Sequence, residues 1–240
     1  MNGSYWAGRP VTGLYGVLRM LEKLISILYP PRCVFCRALL DAGTEVEICE
    51  KCYNKLPFMD DEVLRAYKGF KYCDGVVCVF KYDGIVKESL IRYKYYGKPG
   101  YCRAYGILLA KKVKKMTNIG DFDIIISVPL YKSRMGSRGY NQSFLISKML
   151  SGHTGVKEGS GLVSRVRDTG TQSLLKRRQR IVNVKDAFKI TDAAKVRGKS
   201  VLLVDDILTT GSTLDECGRA LKEAGALKVT AAVIASGKKF

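Results

Sequence analysis

The sequence predicts an α/β protein: an open, mainly parallel sheet with helices on both faces, preceded by a small N-terminal metal-binding module. Three observations carry this reading. Apolar runs suited to buried strands, at 122–128 and 200–204, alternate with longer helix-period segments from residue 76 onward. Two C-x2-C pairs, Cys33/Cys36 and Cys49/Cys52, stand twelve residues apart. The 240 residues, 47% hydrophobic and 26% charged, suffice for a full α/β core plus a small module, since one domain takes roughly 100–200 residues.

Taken in order, residues 14–29 place Leu14, Val17, Leu18, Leu21, Leu24, Ile25 and Leu28 on one helical side, interrupted by Arg19, Glu22 and Lys23. That is an amphipathic helix and not a membrane span. Its stripe is expected to pack on the main domain, with a membrane surface or a partner as alternatives. Pro30 and Pro31 stop it, the cysteine pairs follow, and 53–75 form a polar connection. A Val-rich strand at 76–82 turns at Asp83-Gly84 into helices at 85–93 and 103–116. The buried strand at 122–128 ends at Pro129. Residues 130–140, with Lys132, Arg134, Arg138, Gly136 and Gly139, read as a mobile basic loop before a helix at 141–150. A loop at 152–161, a strand at 162–166, a basic helical stretch at 172–181, a strand at 200–204, a helix at 212–223 and a strand at 228–235 complete the chain. The resulting division is an extension and amphipathic helix at 1–30, a four-cysteine zinc knuckle at 31–60 and an α/β domain at 75–240, with ligands expected beyond the carboxyl ends of the strands.

Two tight turns, each presenting two thiolates, make a closed tetrahedral shell for zinc from Cys33, Cys36, Cys49 and Cys52. With four protein ligands no position is left for water, so such a metal is structural; four unrelated buried cysteines, or redox use of one pair, are the alternatives. Eight cysteines without a signal peptide point to a reducing, cytoplasmic compartment. Cys73, Cys78, Cys102 and Cys217 lack ligand spacing and read as core or free thiols, and His153, the sole histidine, as a solvated loop residue.

Forty-one Lys and Arg against 22 Asp and Glu leave a formal charge of +19, which suits nucleic acid, nucleotides, phosphates or lipid headgroups, against the plainer alternative of a solvated basic surface. The segment 92–115 contains Arg92, Lys94, Lys98, Arg103, Lys111, Lys112, Lys114 and Lys115 and no acidic residue. Tyr93, Tyr95, Tyr96, Tyr101 and Tyr105 are interleaved with them. Where exposed, such tyrosines stack bases while the cations track phosphates, so salt-sensitive binding of single-stranded DNA around Arg92, Lys94, Tyr95 and Lys98 is expected; the alternative buries the tyrosines and leaves the lysines to solvate helix faces. A second basic cluster surrounds 165–180.

In VLLVDDILTTGSTL (201–214) an apolar strand runs into Asp205 and Asp206, and Thr209, Thr210, Gly211, Ser212 and Thr213 open a helix. N–H groups at a helix N-terminus cradle a phosphate, and Gly211 permits close backbone approach. Paired carboxylates beside an anion site suit sugar hydroxyls, or a Mg2+ that bridges sugar and diphosphate oxygens. Together they describe a ribose phosphate site.

These residues resemble the phosphoribosyl diphosphate (PRPP) motif of the type I phosphoribosyltransferases. The layout of roughly 20–237 is similar to the ComF family of competence-associated, phosphoribosyltransferase-like proteins: Pro-Pro-Arg-Cys-x2-Cys, Tyr93-Lys-Tyr-Tyr-Gly97, Ser127-Val-Pro-Leu130, Arg138-Gly-Tyr-Asn-Gln142, and Thr171-Gln172 with Arg177. The resemblance implies a type I phosphoribosyltransferase-like sheet, with residues 1–19 as an extension and Met20 as a candidate start. It implies Thr209 to Thr213 at the 5′-phosphate, Asp205 and Asp206 at the ribose hydroxyls, and the loop after Ser127 at the diphosphate with Mg2+. Arg134 and Arg138 would close over the leaving diphosphate. It further implies a DNA-uptake helicase and recombination factors as partners. Thr209 stands where 6-oxopurine salvage enzymes carry an Asp, which disfavours that chemistry. Two functions stay open: a PRPP- or nucleotide-binding protein of DNA uptake that contacts single-stranded DNA, and an active phosphoribosyltransferase of nucleobase salvage or nucleotide metabolism with no DNA role.

Overall fold

The structure, a computed structural model, describes residues 30–60, 69–168 and 184–238. The amphipathic helix expected at 14–29 and the basic helical stretch at 172–181, with Thr171, Gln172 and Arg177, lie outside the described residues.

A parallel sheet of order β1-β7-β6-β2-β3 forms the core, from β1 (Gly75–Lys81), β7 (Lys228–Ser236), β6 (Ser200–Leu208), β2 (Ile124–Ser127) and β3 (Lys157–Glu158). β6 and β7 pair along their whole length, from Ser200↔Lys228 to Leu208↔Ser236, and are almost wholly buried. Such strands read in sequence as continuous apolar runs because both faces are covered. On one face lie α2 (Gly84–Tyr95), α3 (Cys102–Met116) and α5 (Gln142–Thr154), with Leu90, Tyr93, Leu109 and Ile146 packed on Leu202 and Val204. On the other, α6 (Ser212–Glu223) places Leu214, Cys217 and Leu221 over Val201 and Leu203. Asp83 caps α2 through its carboxylate, and Asn141 caps α5 by accepting from the Ser143 and Phe144 N–H groups.

The cysteine knuckle, with its short helix α1 (Glu50–Tyr53), joins the first of these cores. The Phe35 ring meets Phe80 edge-on at 6.0 Å and Tyr105 at 6.5 Å.

Four expectations need correction. The stretch 152–161 is not all loop, because it holds the last residues of α5, His153 among them, and the edge strand β3. The basic segment 130–140 is not all loop, because Arg134 and Met135 donate back to the Tyr131 carbonyl and start a helix, α4 (Lys132–Arg138). The strand at 162–166 does not join the main sheet. The Gly159 N–H bonds to the Ile125 carbonyl, so the chain after β3 already occupies that edge. β4 (Val163–Arg165) instead pairs antiparallel with β5 (Phe188–Ile190), a strand the sequence did not signal. Finally, β6 continues to Leu208 and not Val204, because β7 supplies hydrogen-bonding partners past the two aspartates. Among the described residues no helix is long and apolar enough to cross a membrane.

Candidate functional site

Beyond the carboxyl ends of β2 and β6 lies a cavity of about 330 Å³, where an open α/β sheet is expected to place its ligand. Of the residues singled out in the sequence, it gathers Asp205, Asp206, Thr209, Thr210, Gly211, Thr213, Arg134, Arg138, Lys94 and Tyr95 along its walls. Ser127 and Ser212 sit in the adjoining elements without lining it. Ser127 ends β2, donates its N–H to Ser160 Oγ at 2.7 Å, and keeps its own buried Oγ without a partner among the described residues.

Because both aspartates lie on a strand, they leave it in opposite directions and find different partners. Asp205 Oδ1 accepts from Ser143 Oγ at 2.8 Å, whereas Asp206 faces Lys94, whose Nζ is 3.0 Å from Oδ2. Burial, and then the charge of Asp206, push the Asp205 carboxyl up to about 6. Burial acts to lower Lys94, but Asp206 and Asp205 outweigh it and the ammonium is held above its ordinary range.

The loop between β6 and α6 turns on Gly211, at φ 83, which any other residue would occupy under strain. Thr210 Oγ1 and Ser212 Oγ lie 2.8 Å apart, which braces the first turn of α6. One turn on, Asp215 Oδ1 accepts from the Lys71 and Tyr72 N–H groups at 2.9 and 2.7 Å and anchors the helix to the chain before β1.

Facing this loop are guanidiniums from two other elements. Arg134 and Arg138 come from α4 and Arg165 from β4. Arg138 lies 5.1 Å over the Tyr95 ring and Arg165 5.4 Å over the Phe188 ring. Burial and the neighbouring cation lower Arg134, beside Arg138, and bring Arg165, beside Arg134, down to about 10. Arg134 Nη2 is buried with no hydrogen-bond partner among the described residues. Convergent cations, with the Arg134 donor unspent, fit a multiply charged anion, and the adjacent carboxylates fit Mg2+ or sugar hydroxyls.

Sequence reasoning did not assign Arg165, Gln142 or Ser143 to this cavity. Gln142 belongs to a segment already noted, Arg138-Gly-Tyr-Asn-Gln142, while Arg165 was visible only as one member of a basic cluster. Of the residues assigned to nucleic acid, Tyr95 and Lys98 are exposed. Lys94 is taken up by Asp206, and Arg92 is turned toward the knuckle, where its Nη2 donates to the Val34 and Phe35 carbonyls. Tyr93 and Tyr105 are wholly buried, Tyr101 is half-buried with its ring 6.4 Å from Tyr105, and Tyr96 is exposed, so the stacking expectation is open to Tyr95 and Tyr96 and closed to Tyr93 and Tyr105.

The four cysteine sulfurs of the knuckle lie within 4.8 Å of one another, and Cys36 and Cys49 Sγ are 3.6 Å apart. A regular tetrahedron of thiolates at about 2.3 Å from zinc sets sulfurs about 3.8 Å apart, so the cluster fits a closed zinc site. Backbone turns build it: Arg37, at φ 67, lets its N–H reach the Cys33 carbonyl, and the Cys52 N–H reaches that of Cys49. Cys73, Cys78 and Cys217 are buried elsewhere, and His153 is exposed.

The Phosphoribosyl transferase domain family matches residues 146–239, and the Double zinc ribbon domain family matches residues 24–63. The chain is similar to Competence protein F of Haemophilus influenzae, 30% identical over 210 residues that cover 81% of this chain and 92% of that protein. It is 42% identical to DNA utilization protein YhgH of Escherichia coli O6:H1 over 107 residues, which cover 45% of this chain and 46% of that protein. To Competence protein ComFC of Bacillus subtilis it is 27% identical over 147 residues, covering 61% of this chain and 58% of that protein.

Proposed function

Because the chain belongs to the ComF family of competence proteins, we propose that it binds PRPP or a related ribose phosphate with Mg2+ in the cavity, and that it serves DNA uptake from the cytoplasm. The observation that supports this is one junction: the acid pair of β6 and the loop that starts α6 line the same cavity as Arg134, Arg138 and Arg165. In this reading Thr209, Thr210, Gly211, Ser212 and Thr213 hold the 5′-phosphate, Asp205 and Asp206 the ribose hydroxyls and Mg2+, and the arginines and the loop after Ser127 the diphosphate. Bound Mg2+ would neutralise charge that builds on a leaving diphosphate. The arginines would exclude water and offset the remainder. The four knuckle cysteines would hold structural Zn2+.

Contact with single-stranded DNA is proposed for the exposed surface at Tyr95, Tyr96 and Lys98, where two rings stand 55% and 67% exposed beside cationic side chains. A helicase and recombination factors of the uptake machinery are the partners this role calls for.

The test is calorimetric titration of the zinc-loaded protein with PRPP and Mg2+, beside an Asp205→Asn, Asp206→Asn double variant. Saturable binding in the wild type that disappears in the variant is expected, and would justify a screen of bases for transfer. A folded wild type that binds neither PRPP nor a nucleoside monophosphate would end the ribose phosphate reading.

A further inference from the structure

Asp206 does not stand in the cavity as a free carboxylate. Lys94 Nζ lies 3.2 Å from its Oδ1 and 3.0 Å from its Oδ2, and the Asp206 side chain is only 8% exposed, so little water screens the pair. The backbone of Lys94 is fixed from the opposite side: its carbonyl accepts from Gln142 Nε2 at 3.3 Å, and the preceding carbonyl, of Tyr93, accepts from the Tyr140 hydroxyl. Held at its base, the lysine keeps a flexible four-carbon stem and lines the cavity beside Asp206. Within that cavity the cationic wall of Arg134, Arg138 and Arg165 marks where an anion would lie.

We propose that Lys94 is a displaceable counter-ion, which neutralises Asp206 in the empty site, gives way when a divalent cation takes the acid pair, and passes its ammonium to phosphate oxygens of the anion that accompanies the cation. This rests on the reading of Asp205 and Asp206 as the cation and ribose site. A cation arriving alone must evict a lysine that has no new partner. A cation arriving as the complex of a sugar diphosphate brings that partner with it. Lys94 is thus a positioning residue that makes the site select the metal–sugar phosphate complex over either ion alone.

The full-length, zinc-loaded protein at pH 8 is titrated with Mn2+ alone, followed by the electron paramagnetic resonance of free Mn2+, and then with PRPP in the presence of Mn2+. Lys94→Met is expected to bind Mn2+ alone about tenfold more tightly than wild type, because a nearby cation no longer opposes it. The same variant should bind PRPP with Mn2+ about tenfold more weakly. A merely structural role would not move the two affinities in opposite directions. Lys94→Arg should keep the wild-type weakness toward Mn2+ alone, and the gain in Lys94→Met should vanish when Asp206→Asn is added. Lys94→Gln serves if the methionine variant does not fold. Equal or weaker Mn2+ binding by the neutral variant, or a gain that survives Asp206→Asn, would overturn the assignment. A wild type that binds Mn2+ but no PRPP would instead remove the ribose phosphate reading, while the Mn2+ comparison still decides the role of Lys94.

Discussion

Arg92 Nη2 donates to the Phe35 carbonyl at 2.5 Å and to the Val34 carbonyl at 3.2 Å, so one guanidinium of α2 ties down the turn between two knuckle cysteines. Ser89 Oγ, one turn earlier, donates to the same Val34 carbonyl at 2.5 Å. Hydrogen bonds from a charged donor contribute about 1.5–3 kcal/mol net, whereas the 3.9 Å pair with exposed Glu88 adds little. Arg92→Ala should therefore lower stability by about 2–3 kcal/mol in urea denaturation and speed metal loss to a colorimetric chelator. Its single-stranded DNA affinity should stay within about twofold of wild type. Unchanged stability with a loss of DNA binding would return Arg92 to a nucleic-acid role.

The half-buried Asp205 makes a stability prediction with a definite sign. Its folded value, about 6, lies above its ordinary one, so between roughly pH 4 and pH 6 the folded protein keeps a proton that the unfolded chain has lost. Stability falls as pH rises through that window and then levels off. A rise of about two units corresponds to about 3 kcal/mol. Asp205→Asn removes the titration while its amide oxygen can still accept from Ser143. The variant should thus be more stable than wild type at pH 8, by on the order of 1–3 kcal/mol, with the gap closing toward pH 4. Urea midpoints at both ends of that range measure it, and a pH-independent gap would show that the carboxylate is not penalised in the fold.

These two aspartates also mark the limit of what the sequence disclosed. Adjacency, the apolar run before them and the Thr-rich loop after them announced the strand, the turn and α6, because local chemistry decides such features. The parallel sheet and its two-faced core follow from alternation and were equally open, whereas the strand order was not. Partner choice was not. Lys94 and Arg92 are two positions apart in a segment without an acidic residue, and composition alone makes both solvent-facing cations. One meets a carboxylate 112 positions later and the other a carbonyl 57 positions earlier. Likewise nothing in the local pattern of 162–166 showed that its strand would leave the main sheet for a partner at 188–190, since the exclusion comes from an edge already taken.

The surface proposed to contact DNA has a narrower composition than the tyrosine-rich segment suggested. Tyr95 and Tyr96 are exposed, whereas Tyr93 donates to the Gln142 carbonyl at 2.9 Å and packs 5.4 Å from Tyr105 in the core. A stacked base is worth about 1–3 kcal/mol, so Tyr95→Ala with Tyr96→Ala should weaken an oligothymidine at least about tenfold, with the slope of affinity against salt unchanged because no phosphate contact is lost. Lys98→Ala should instead reduce that slope by about one. Fluorescence anisotropy at 50 to 200 mM salt separates the two effects. If the double tyrosine variant binds like wild type, this surface is not the platform.

The link between helix packing and the site is open to test at Gly106. It lies in α3 where α5 crosses closely, and a Cβ built there would stand 2.3 Å from Met149 Cβ. Alanine gains up to about 1 kcal/mol of helix propensity over glycine. Overpacking of this kind costs about 1–3 kcal/mol, and neither Cβ can swing aside, so the helices themselves must part and the cost should prevail. The strain reaches the cavity because α5 begins at Asn141, whose amide holds the Val128 carbonyl, and at Ser143, which holds Asp205. Gly106→Ala should lower the melting temperature by several degrees and weaken PRPP binding along with it. Gly152→Ala, in the same α5 but with open space around its Cβ, should raise the melting temperature and leave binding alone. A stabilised Gly106→Ala would mean that the α3–α5 spacing is not what sets Ser143 against the acid pair.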